Sequence, residues 1–153
     1  MRVFLSYGRD DSSPWTGRLR DPLSWRKPCR VFVNSVSDLF HEGLDDGFVE
    51  EVFNVMQRAH WHTFQVLTKR HARMRSLLNS DEFHDRVLYH SCHVGNGWDG
   101  YETTTWRWPL PNVWLGVSAE DQQRWDERTD DLMLTPAAVR WVSAEPLLGP
   151  IVG

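Results

Sequence analysis

Cysteine is nearly absent from this chain: two in 153 residues, Cys29 and Cys92, far apart in sequence. That excludes a disulfide framework and any closely spaced cysteine metal motif, and fits free thiols in a reducing compartment. Long hydrophobic runs are also missing. Nothing approaches the length of a membrane span, and the apolar stretch after Met1 is too short for a signal peptide. The protein is therefore expected to be soluble and cytoplasmic, with no membrane partner. An excess of positive charge is lacking too, since the formal net charge is -4. A broad nucleic-acid-binding face is not supported on that count, although a local basic patch stays open. Nine tryptophans stand against these absences. Several fall outside the expected strands, which suggests packing over an opening.

What is present is a repeated pattern. Four apolar runs end in polar clusters: Val31-Phe32-Val33 before Asn34-Ser35-Val36-Ser37-Asp38, Phe64 to Leu67 before Thr68-Lys69-Arg70, Val113 to Val117 before Ser118-Ala119-Glu120, and Val139 to Val142 before Ser143-Ala144-Glu145. Near-continuous apolar runs are the signature of parallel strands buried on both faces. The pattern predicts strands near 30–35, 63–68, 112–117 and 139–143. Between them, helical periodicity predicts a helix after the caps Asp45 and Asp46, another near 71–79, and a polar one near 121–134. Alternating strands and helices imply right-handed crossovers and a parallel sheet.

The remaining stretches are less regular. Residues 1–30 read as an irregular, locally basic N-terminal segment with Arg18, Arg20, Arg26, Lys27 and Arg30. Residues 31–153 read as one domain. Within it, 80–111 carries Gly95, Gly97, Gly100, Pro109 and Pro111 and reads as a long inserted loop with one short helix at its start. A complete (β/α)₈ barrel takes about 250 residues. The expected fold class is therefore α/β, a partial (β/α) barrel with parallel strands, and the chain reads as truncated.

In such folds ligands gather at the carboxyl ends of the strands. That makes Asn34, Ser35, Asp38, Lys69, Arg70, Ser118, Glu120, Ser143 and Glu145 the candidate binding residues. Ser37 shares the first cluster. Serine and aspartate there also serve simple turns, and a lysine–arginine pair also suits a solvated helix start. The repeated Ser-Ala-Glu is the strongest pair, because residues two apart in a strand point to one side. His90, Cys92 and His93 look metal-like in spacing but have no fourth ligand nearby, so no metal site is assigned.

The strings VFVNSVSDLFHE (31–42), HTFQVLTKR (62–70), PNVWLGVSAED (111–121) and VRWVSAEPLLGPI (139–151) resemble a phage and prophage family. It is the family named for phage gene products thirty-seven and sixty-eight, a domain of unknown function. The resemblance implies a barrel like that of radical S-adenosylmethionine enzymes. Fuller members carry three cysteines for a 4Fe–4S cluster upstream of the first string, and this chain has no cysteine in residues 1–28. Catalytic residues are left unassigned. On the resemblance, S-adenosylmethionine and the cluster belong to a fuller form, and this chain alone is inactive. Two other readings stand beside it: a non-enzymatic phage module using the same rim against a phage or host protein or nucleic acid, and a metal-independent hydrolase using Glu120 and Glu145.

Overall fold

A computed structural model describes residues 2–4, 19–33, 38–93 and 107–152, with the backbone alone for 2–4 and 89–93. Five strands form one parallel sheet: β1 (Arg2–Phe4), β2 (Arg30–Val33), β3 (Thr63–Thr68), β4 (Val113–Ser118) and β5 (Val139–Ser143). Their order across the sheet is their order in sequence, and every neighbouring pair is parallel. A doubly wound sheet reverses its order at a switch point, and this one does not among its five strands. The four expected strands are thus present, adjacent and parallel. β1 adds a fifth, in a segment expected to be irregular.

Register explains the burial. Val31, Phe64 and Val113 align across three strands, and so do Val33, Val66 and Leu115. All six are buried in one cluster with residues from the helices. Fully burying such side chains stabilises by about 1.5–3 kcal/mol each. The alternate residues Phe32, Gln65 and Trp114 point to the other face and are only half-buried. On that face Trp141 lies across Gly116. A Cβ built on Gly116 would sit 2.4 Å from Trp141 Cε2, so only glycine fits beneath the indole.

Helices cover the first face. The short α1 (Asp21–Ser24) precedes β2, and α2 (Asp46–Arg58) links β2 to β3. Asp45 caps α2 by accepting from the Gly47 N–H at 2.7 Å. Val49, Val52, Phe53 and Met56 then form its buried stripe. After β3 come α3 (His71–Leu78) and α4 (Asp81–His93), and α5 (Gln122–Met133) joins β4 to β5. Asp121 caps α5 through the Arg124 N–H at 2.8 Å.

A helix stands at the start of 80–111 as expected, but α4 runs for thirteen residues rather than being short. It is a full element of the helix layer: Phe83 and Val87 are buried, and Asn54 Nδ2 donates to the Val87 carbonyl at 3.1 Å. Trp108 is held there as well, 4.3 Å from the His84 ring and donating Nε1–H to Leu78 O at 3.3 Å. Its indole therefore packs within the helix layer, contrary to a place over an opening. The stretch 94–106 lies outside the described residues.

Candidate functional site at the carboxyl ends of the strands

Parallel strands deliver their downstream residues to one edge, and three sequence-distant groups meet there. Asp38 Oδ1 accepts from the Thr68 hydroxyl at 2.6 Å and from the Phe40 N–H at 3.0 Å. Its Oδ2 accepts from the Lys69 N–H at 2.8 Å. Asp38 thereby fastens the segment after β2 to the end of β3. Thr68 extends the relay, since its Oγ1 accepts from the Arg70 N–H at 2.8 Å.

Lys69 then crosses to the next strand. Its Nζ donates to Glu120 Oε1, and Arg128 Nη1 donates to Glu120 Oε2 at 3.1 Å and to Ser118 O at 2.6 Å. Glu120 is largely buried between them, with 13% of its side chain exposed. The hydrogen bond from Lys69 holds its carboxyl below the usual range, and the Arg128 and Lys69 charges add to that against the opposing effect of burial. Arg70 faces outward and pairs with Glu42 at 3.2 Å.

The two Ser-Ala-Glu triplets stand in register, Ser118 beside Ser143. The Ala119 N–H donates to Ser143 O at 2.9 Å, and the Leu148 N–H returns to Glu120 O at 2.8 Å. Their glutamates diverge. Glu120 is held by two cations, whereas Glu145 is exposed and has no hydrogen bond or ion pair among the described residues. Asn34, Ser35 and Ser37 lie outside the described residues. The structure therefore brings Asp38, Lys69, Ser118, Glu120 and Ser143 to one rim, with Glu145 on the adjoining loop and Arg70 turned toward Glu42.

Two participants escaped the sequence reading. Thr68 is the last residue of an apolar strand and carried no signal beyond its hydroxyl. Arg128 lies eight residues beyond Glu120, mid-way along α5, where an arginine in a polar helix looks solvated. Its burial appears only once α5 packs on β4.

Neither cysteine fits the cluster of the radical enzymes. Cys29 precedes β2 and so lies at the amino ends of the strands, opposite the rim. Its N–H donates to His62 Nδ1 at 3.2 Å, and its Sγ is 3.5 Å from the same nitrogen. Since Nδ1 accepts, the buried His62 is neutral and donates from Nε2 to Pro22 O at 3.1 Å. Cys92 lies in the last turn of α4 between His90 and His93, whose side chains fall outside the described residues. Among the described residues no group of three metal-binding side chains occurs.

Residues 5–153 match the model of a family of proteins of unknown function, DUF5131. The chain belongs to that family. No curated protein and no solved structure matches it. No helix among the described residues of this DUF5131 member is long and apolar enough to cross a membrane.

Proposed function

We propose that this DUF5131 chain is a partial (β/α) barrel of the radical S-adenosylmethionine kind, phage- or prophage-encoded, whose carboxyl rim takes S-adenosylmethionine or a related nucleoside. The observation that carries the reading is the rim itself: adjacent Ser118 and Ser143 beside a carboxylate held by Lys69 and Arg128. The parallel order without reversal supports the barrel part, and the four sequence strings support the phage part. Two neighbouring hydroxyls suit a ribose edge. Glu145, open to solvent, suits an ammonium group. Glu120, already neutralised, positions Lys69 for a carboxylate. These residues bind and orient; no redox step is assigned to them, because two cysteines are fewer than the three thiolates that a cluster needs.

Isothermal calorimetry with S-adenosylmethionine tests this. Glu145→Gln is expected to weaken binding about ten- to hundredfold, the loss of one charge-assisted hydrogen bond. Glu51→Gln, on an exposed position of α2, is expected to leave it unchanged. Equal affinity for wild type and Glu145→Gln would remove the carboxylate from the site. Absence of any binding would favour the interaction-module reading. That second reading has its own observation: Leu147, Leu148 and Val152, just past β5, are 60%, 72% and 77% exposed.

A further inference from the structure

The cations of this protein are sorted by place. From Lys69 onward, every described lysine and arginine except Arg107 is engaged, by a carboxylate or, for Arg140, by the carbonyls of Leu132 and Thr135. The side chains of Arg20, Arg26, Lys27, Arg30, Arg58 and Arg107 make no hydrogen bond or ion pair among the described residues. All six lie in three segments, 20–30, 58–62 and 107–112, in which Asp21 is the one acidic residue. These segments enter the amino ends of β2, β3 and β4 and are stitched together there. The Thr63 N–H donates to Cys29 O at 3.1 Å, and Asn112 Nδ2 donates to His62 O at 3.2 Å. Trp61 Nε1 donates to Trp25 O at 2.8 Å.

Aromatic rings are interleaved with these charges. Trp25, Trp61 and Trp114 are all half-buried, so part of each ring meets solvent. The Arg30 guanidinium sits 5.8 Å from the centre of the Trp114 ring. The exposed His60 meets Trp61 edge-on at 5.3 Å. In a chain of net charge -4, a polyanion is repelled at long range. A cluster of unpaired cations must therefore act locally, by contact with phosphates.

We infer that the amino-end face, remote from the rim, binds a single-stranded nucleic acid. Arg26, Lys27 and Arg58 contact phosphates, and the Trp25–Trp61 pair with His60 offers planar surface for a base. Cations tracking a backbone beside stacking rings are the two parts of sequence-tolerant single-strand binding. An acidic peptide would use the charges but leave the rings idle.

Fluorescence anisotropy of a labelled oligothymidylate of about twelve nucleotides, titrated with the whole 153-residue chain, tests the inference. Binding is expected at low salt with quenching of tryptophan emission, and a log–log salt slope of about -2 for three phosphate contacts. Combined Arg26→Ala and Lys27→Ala, both on exposed side chains, should weaken binding at least about tenfold and flatten the slope by about 1.4, the share of two contacts. Trp61→Ala should weaken it about tenfold and remove much of the quenching. Arg124→Ala, on α5, should change nothing. The inference is overturned if the oligonucleotide does not bind at low salt, or if the Arg26/Lys27 variant binds as wild type does. It is equally overturned if polyglutamate competes as well as unlabelled oligothymidylate.

Discussion

At the scale of single residues, position proved easier to read than role. Asp38 and Glu120 were singled out because polar residues follow apolar strands, and both do reach the rim. Each is nonetheless committed to the protein: Asp38 by three donors, Glu120 by Lys69 and Arg128. Only tertiary packing reveals this, because Thr68 and Arg128 reach those carboxylates from other elements. The commitment of Glu120 has a measurable consequence. Its folded pKa is depressed, so its ionisation stabilises the fold above the unfolded value of about 4.3, and that contribution is lost as pH falls through the folded value. Glu120→Gln is therefore expected to flatten the acid limb of a Tm-against-pH profile below about pH 4.5. A profile parallel to wild type in that window would show that the Lys69 and Arg128 contacts do not persist in solution. Asp131 has the same sign: burial pushes its carboxyl up, but hydrogen bonds from Arg75 and His71 pull it below the usual range. Some of the acid sensitivity should therefore survive in the Glu120 variant.

Whole elements were the most legible level. Strands at 63–68 and 139–143 agree with β3 and β5, and the helix after Asp45 agrees with α2. The reason is physical: a strand buried on one or both faces, or a capped amphipathic helix, writes its period into the sequence. Two elements did not. β1 is three residues long, too short for any period. In α4 only Phe83 and Val87 are buried among the described side chains, and the glycine-rich stretch after it made all but the start of the interval look like loop. A usable signal stood at its start, where Ser80 Oγ accepts from the Phe83 N–H at 3.3 Å as an N-cap does. Within the sheet, Gly116 carries a fit that sequence cannot show. Its absent side chain lets the Trp141 indole cross β4 and meet Phe32 at 6.3 Å. Gly116→Ala must push that ring away, and is expected to cost about 1–3 kcal/mol of unfolding free energy in urea titration. Native stability in that variant, with unchanged tryptophan emission, would mean that Trp141 does not lie across Gly116.

On the scale of the whole molecule, the two ends of the sheet are chemically distinct. The carboxyl ends carry carboxylates, of which Glu120 is neutralised by two cations, and hydroxyls; the amino ends carry cations without a carboxylate partner, half-buried tryptophans and Cys29. This division bears directly on iron–sulfur chemistry. A 4Fe–4S centre of the radical type needs three thiolates close together beside the ligand. The chain has two cysteines in all, and Cys29 enters β2 from the end away from the rim, beside an imidazole nitrogen already occupied by a backbone N–H. Moving it to the rim would require passing the length of β2, which pairs on both sides with β1 and β3. These 153 residues, reconstituted anaerobically with iron and sulfide, are expected to hold no stoichiometric cluster. Iron and sulfide analysis with absorbance and electron resonance reads the outcome. A cluster spectrum at full stoichiometry, lost in Cys29→Ala or Cys92→Ala, would overturn the placement of Cys29 and with it the separation of the two ends. Binding of S-adenosylmethionine without a cluster is compatible with that separation, because the rim groups that would receive the nucleoside include no thiol.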